Sequence, residues 1–220
     1  MNIVAINGSP KNDQSVSGLL IRLLQDHTHA NIVTYQARRL STLHDLSPVV
    51  EDIAAADVLL VVFPLYVDSL PAPLIKSLTL IQTALGERAT KPSVKVYAVC
   101  NCGFYEARQT GLALQMVEQF AVRCGFTWGY GLGIGCGGML LGFADDMSKG
   151  PTANVDAALR ELAESLQSSD IRSENQFVIP RFPRLLYQLG GNIGWLQMAR
   201  ANRLRGSLKA QPHQTGSLTG

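Results

Sequence analysis

Short, continuously apolar runs alternate along this chain with longer stretches whose apolar residues recur every three to four positions. The first pattern is that of strands buried on both faces, the second that of amphipathic helices. The runs predict strands over 3–6, 32–35, 57–63, 94–101 and 126–134. The helical periodicity predicts helices over 16–27, 48–56, 72–87, 106–124 and 151–167. Ser47-Pro48 reads as an N-cap followed by proline at the first helical position, and Gly125 as a helix stop. Strict alternation of strand and helix defines an α/β chain with a parallel sheet covered on both faces. Right-handed crossovers then place every strand-to-helix loop on one sheet edge.

Composition narrows the picture. The 220 residues, 46% of them hydrophobic, are enough for one domain with a well-filled core. No apolar run is long enough to span a bilayer and no basic leader precedes the first strand, so the expected location is cytoplasmic. Cys100, Cys102, Cys124 and Cys136 form no Cys-x-x-Cys pair and no zinc or iron–sulfur spacing, so reduced thiols and no metal are expected. The net charge of +2 conceals an asymmetry. Residues 1–176 carry 13 Lys or Arg against all 17 acids, a balance of −4, whereas residues 177–220 carry 6 basic residues and no acid. A basic tail suits an acidic partner surface. The expectation is docking within a homo-oligomer, dimer or tetramer, rather than nucleic-acid binding.

The candidate chemistry lies in the loops after strands one, three and four. Asn7-Gly-Ser-Pro-Lys-Asn-Asp-Gln-Ser-Val-Ser17 joins a strand to a helix through small, hydroxyl-bearing residues. A helix N-terminus offers free amides and a positive dipole end to a phosphate, and Ser9, Ser15 and Ser17 can add hydroxyl donors. The same residues also suit an ordinary turn in which Ser15 or Ser17 caps the helix. The second loop, Pro64-Leu-Tyr-Val-Asp-Ser-Leu-Pro-Ala-Pro73, is stiffened by prolines and displays Leu65, Tyr66 and Val67. The third, Cys100-Asn-Cys-Gly-Phe-Tyr-Glu106, combines the small Gly103 with the π face of Phe104. A phosphate cradle beside two aromatic, small-residue loops describes a flat phosphorylated ligand.

Three segments resemble the flavodoxin-like NAD(P)H-dependent oxidoreductases, the FMN-reductase family. They are Asn7-Gly-Ser-Pro-Lys…Ser15-Val-Ser17, the run from Phe63 to Lys76, and Asn101-Cys-Gly-Phe…Glu106…Gln109 with the downstream Gly131-Leu-Gly-Ile-Gly135. The resemblance covers about residues 1–165. It implies a doubly wound five-stranded parallel sheet of order 2-1-3-4-5 with a helical C-terminal extension. It also implies an FMN site. Ser9, Lys11, Ser15 and Ser17 would hold the phosphate; Pro64, Leu65 and Tyr66 would line one side of the ring, and Asn101, Gly103 and Phe104 the other. The implied activity is hydride transfer from NADPH or NADH to FMN and on to a small electron acceptor such as a flavin or quinone. No catalytic acid or base is implied, because the flavin carries the chemistry. The alternative is a non-enzymatic flavodoxin-like electron carrier or redox-responsive flavoprotein. The closely spaced cysteines of the family's iron–sulfur branch are absent.

Two other patterns are weaker. Gly133-Ile-Gly-Cys-Gly-Gly138 matches a dinucleotide-binding spacing but lacks a clear helix start after it, so close packing or a sharp turn is the favoured reading. Cys102 and Arg108 have a phosphatase-loop spacing, but Phe104, Tyr105 and Glu106 between them make a poor anion nest. The domain reading is therefore 1–170 for the FMN-binding domain, 171–210 for an apolar, basic extension and 211–220 for a disordered tail. The extension is expected to form two helices broken at Gly190-Gly191 that pack across a dimer or beside the flavin. Contact with a membrane surface is the less favoured role.

Overall fold

The computed structural model describes residues 1–11, 14–86, 93–168 and 174–203. The reading of 211–220 lies outside these residues. The chain divides into two compact units, Met1–Arg181 and Phe182–Gly220.

The first unit is built on one parallel sheet. Its strands are β1 (Ile3–Asn7), β2 (Ile32–Gln36), β3 (Val58–Pro64), β4 (Lys95–Asn101), β5 (Thr127–Ile134) and β6 (Gln176–Val178). Their order is β2-β1-β3-β4-β5-β6, and each neighbouring pair is parallel. The expected order 2-1-3-4-5 is present, but the sheet has six strands rather than five. β6 is only three residues long and stops just before Pro180, so it carries no alternation that a sequence pattern could register.

The helices of this unit are α1 (Val16–Thr28), α2 (Ala37–Leu40), α3 (Ser47–Ala55), α4 (Ala72–Gly86), α5 (Gly111–Cys124), α6 (Gly137–Leu140) and α7 (Ala153–Gln167). Side chains alternate across the central strands. Val4, Ile6, Leu59, Val61 and Phe63 enter a core covered by α2, α3, α4 and α5. Ile3, Ala5, Val58, Leu60 and Val62 enter a second core covered by α1 and α7. Each fully buried leucine in these layers, such as Leu20 or Leu159, contributes about 2 kcal/mol.

Several helix boundaries differ from the sequence reading. α3 begins at Ser47, and the carboxylate of Asp45 accepts the Ser47 amide at 2.8 Å. The acid therefore does the work expected of Ser47. That bond, with one from the Ser47 hydroxyl, holds Asp45 below the usual carboxylate range. The segment 106–124 is not one helix: a 3-10 turn, Ala107–Thr110, precedes α5. The second unit contains α8 (Arg184–Ala201), which continues through Gly190-Gly191 instead of breaking there.

β5 explains the glycine pattern at 129–135. A Cβ on Gly131 would lie 2.8 Å from Leu114 of α5, and one on Gly133 would lie 2.2 Å from Thr110 and 2.7 Å from Phe177 of β6. A Cβ on Gly135 would meet the Tyr105 carbonyl oxygen at 2.3 Å. These glycines admit α5, β6 and the third loop against the strand. The dinucleotide-binding spacing is thus a product of packing.

Candidate functional site

Because every strand is parallel, the loops after β1, β3 and β4 leave the same edge of the sheet. The first loop starts with Gly8, whose amide donates to the Val62 carbonyl at 2.8 Å. A Cβ there would lie 2.6 Å from that of Phe63, so the chain can pass β3 only without a side chain. Asn7 is buried, and its Oδ1 accepts the Ser9 amide at 2.9 Å. The Ser9 hydroxyl in turn accepts the Lys11 amide at 3.2 Å. Ser15 is the N-cap of α1, taking the Gly18 amide at 3.1 Å. Of the two capping candidates, the structure selects Ser15. The amides of Val16 and Ser17 are left without partners inside the helix. Lys11 is exposed beside them in sequence, whereas Ser9, Ser15 and Ser17 are buried.

Asn101 fastens the edge together. This last residue of β4 is 5% exposed. Its Nδ2 donates to the Phe63 carbonyl at 3.1 Å and reaches the Ser17 hydroxyl at 3.4 Å. Its backbone carbonyl accepts the Leu65 amide at 2.8 Å. One residue thus ties the start of α1 and the exit of β3 to the end of β4.

The second loop turns more sharply than its prolines suggest. Tyr66 and Ser69 exchange backbone hydrogen bonds at 2.9 and 3.0 Å. Between them Val67 and Asp68 have φ of 49° and 58°, the signs of a type I′ turn. Such angles strain a β-branched residue, and Val67 is 98% exposed. Tyr66 stands exposed at the turn, with Pro64 and Leu65 half-buried behind it.

The third loop is laced to the exit of β5. The Cys102 amide donates to Ile134, the Gly137 amide to Cys102 and the Cys136 amide to Phe104, at 2.9, 2.7 and 2.7 Å. Phe104 and Gly103 remain exposed, and a Cβ on Gly103 would meet open space. The Cys102 thiol is buried and approaches the carbonyls of Phe104 and Glu106 at 3.7 and 3.9 Å. Burial raises its pKa, more than offsetting the lowering effect of the Phe104 backbone. Burial, then Cys102 and Glu106, push Cys136 up to about 11. The raised Cys102 thiol disfavours the thiolate that a phosphatase loop needs.

The structure therefore joins Ser17, Phe63, Leu65 and Asn101 through hydrogen bonds. It places Lys11, Tyr66, Gly103 and Phe104 as exposed groups on the surrounding loops. Asn7 was not singled out in the sequence. The signal for it was available, because Asn before Gly-Ser is a residue type that bonds its own backbone two positions on.

No protein-family model matches the chain, and no curated protein matches it in sequence. Its fold does match solved structures, and they are of the flavodoxin-like class. An NADPH-quinone reductase from P. pentosaceus superposes with a TM-score of 0.55 at 13% identity, over 74% of this chain and 97% of that one. The apo form of an NADH:FMN oxidoreductase gives 0.55 at 19% identity, over 77% of this chain and 91% of that one. General stress protein 14 from Treponema denticola, solved in complex with FMN, gives 0.53 at 14% identity, over 74% of this chain and 99% of that one. At these identities the likeness defines the fold: the chain has a flavodoxin-like α/β sheet.

Proposed function

We propose that this chain binds FMN at the edge formed by the β1, β3 and β4 loops. We further propose that it passes a hydride from NADPH or NADH through that cofactor to a small acceptor, a flavin or quinone. The observation that carries the reading is the Asn101 fastening, which holds three loops of suitable chemistry at one edge. The donor set fits the cofactor. Open amides of α1 and the exposed Lys11 offer hydrogen bonds and positive charge for a phosphate. Tyr66 and Phe104 present exposed aromatic faces, and the open space at Gly103 permits close approach of a flat ring.

When bound, FMN supplies the hydride and electron transfer. The residues of this chain bind and orient. Ser15 fixes the helix start by capping it, and Ser17 contributes its amide, because its hydroxyl faces Asn101. Asn101 is a positioning residue that holds the loops at a fixed spacing.

The test is direct. Purified protein is expected to take up FMN with quenching of flavin fluorescence, and then to oxidise NADPH or NADH when a quinone or free FMN is supplied. Gly103→Leu, which fills only open space, should weaken FMN binding while leaving the melting temperature of the FMN-free protein unchanged. Tight FMN binding with no turnover of either nicotinamide would make the chain an electron carrier instead. Absence of FMN binding would overturn the whole reading.

A further inference from the structure

We propose that α8 and its basic flanks form a docking surface for an anionic phospholipid bilayer. The inference rests on the second unit alone and is independent of the flavin reading. At 3.6 residues per turn, Leu185, Leu186, Leu189, Ile193 and Leu196 fall within one stripe about 100° wide. All five are 47% to 74% exposed. Trp195, 72% exposed, lies about 130° from the centre of the stripe, on the other side of the helix. Gly191 lies opposite the stripe, and Gly190 lies just beyond its Leu186 edge. No helix among the described residues is long and apolar enough to cross a membrane, so contact of α8 with a bilayer would be made at its surface.

Charge selects the occupant. The sequence from 182 to 220 contains Arg184, Arg200, Arg203, Arg205 and Lys209 and no Asp or Glu. Two copies of such a segment placed stripe to stripe would bring like charges together with no acid on either to offset them. An anionic lipid surface attracts every one of them. Arg200 lies in the last turn at the end of the stripe, where a long side chain can keep its guanidinium among headgroups while its stem follows the apolar face.

The experiment uses the full chain with vesicles of phosphatidylcholine and phosphatidylglycerol in equal parts, and with phosphatidylcholine alone, read by flotation. Binding to the anionic vesicles, weakened by added salt and much lower on the neutral ones, is expected. Replacing two of the cations, R200Q with R203Q, should weaken partition about 30-fold. L189E with I193E should abolish it. The charge variant keeps all five apolar residues of the stripe, so it remains informative if the stripe variant fails to fold. No binding of the unaltered chain to anionic vesicles would overturn the proposal, as would equal binding to both compositions. Loss of a dimer in the stripe variant, measured by light scattering, with no vesicle binding by the unaltered chain, would reassign the stripe to contact between copies.

Discussion

Replacing Asn101 by alanine should loosen the loop edge without emptying the core. The amide contributes one well-formed hydrogen bond, 3.1 Å to the Phe63 carbonyl, and one long one, 3.4 Å to the Ser17 hydroxyl. Losing the first and leaving its partner short of a donor costs about 2 kcal/mol. For a chain of this size that corresponds to a fall of roughly 4–8 °C in melting temperature, followed by near-ultraviolet circular dichroism. FMN affinity, read by fluorescence quenching, should fall as well, because the loop spacing is no longer fixed. Asn101→Asp sharpens the test. Ionised, it sets a carboxylate oxygen against the Phe63 carbonyl; protonated, it regains a donor. Its folded pKa should therefore lie above the unfolded value of about 3.9. A raised folded pKa means stability that is present at acid pH and lost as pH rises through the folded value. The deficit of Asn101→Asp should thus be smallest near pH 4 and grow toward neutrality. A melting temperature within about 1 °C of the unaltered protein for Asn101→Ala, with unchanged FMN affinity, would refute the fastening role.

Three further outcomes are expected. Gly133→Ala should destabilise by about 1–3 kcal/mol in denaturant titration, because its Cβ would lie 2.2 Å from the Thr110 hydroxyl, whereas Gly103→Ala should be near neutral. Native protein at pH 8 should resist alkylation at Cys102 and Cys136, and denatured protein should react at both, as counted by mass spectrometry, since burial holds the two thiols protonated. Absorbance titration should show one phenol ionising near pH 12 that vanishes in Tyr35→Phe, because Asp52 accepts its hydroxyl and, with partial burial, raises it to about 12.

The central architecture was legible because its signals are dense. The run 57–63 is apolar at every position but the first, which only a strand buried on both faces requires. The loop chemistry was legible for a similar reason: Gly8, Ser9 and Ser15 are residue types that a tight strand-to-helix passage demands. What escaped was whatever depends on distant partners. β6 exists because Phe177 finds a notch at Gly133, and neither residue announces the other. Asn101 read as a ring-lining group, since nothing local shows that its amide is engaged by Phe63 and Ser17. The Gly190-Gly191 pair read as a break because glycine is a poor helix former, yet α8 runs through it.

The late position of β6 sets an order of events during synthesis. β5 receives its outer neighbour from a segment 44 residues further on, where Asn175 also accepts the Gly131 amide at 2.7 Å. Until that segment leaves the ribosome, β5 is the rim of the growing sheet, with its amides open to any other nascent chain. Its alternating glycines make that rim a weak template, for they offer few side chains to grip a stranger. The same residues that admit Phe177 at the end thus protect the chain while it waits.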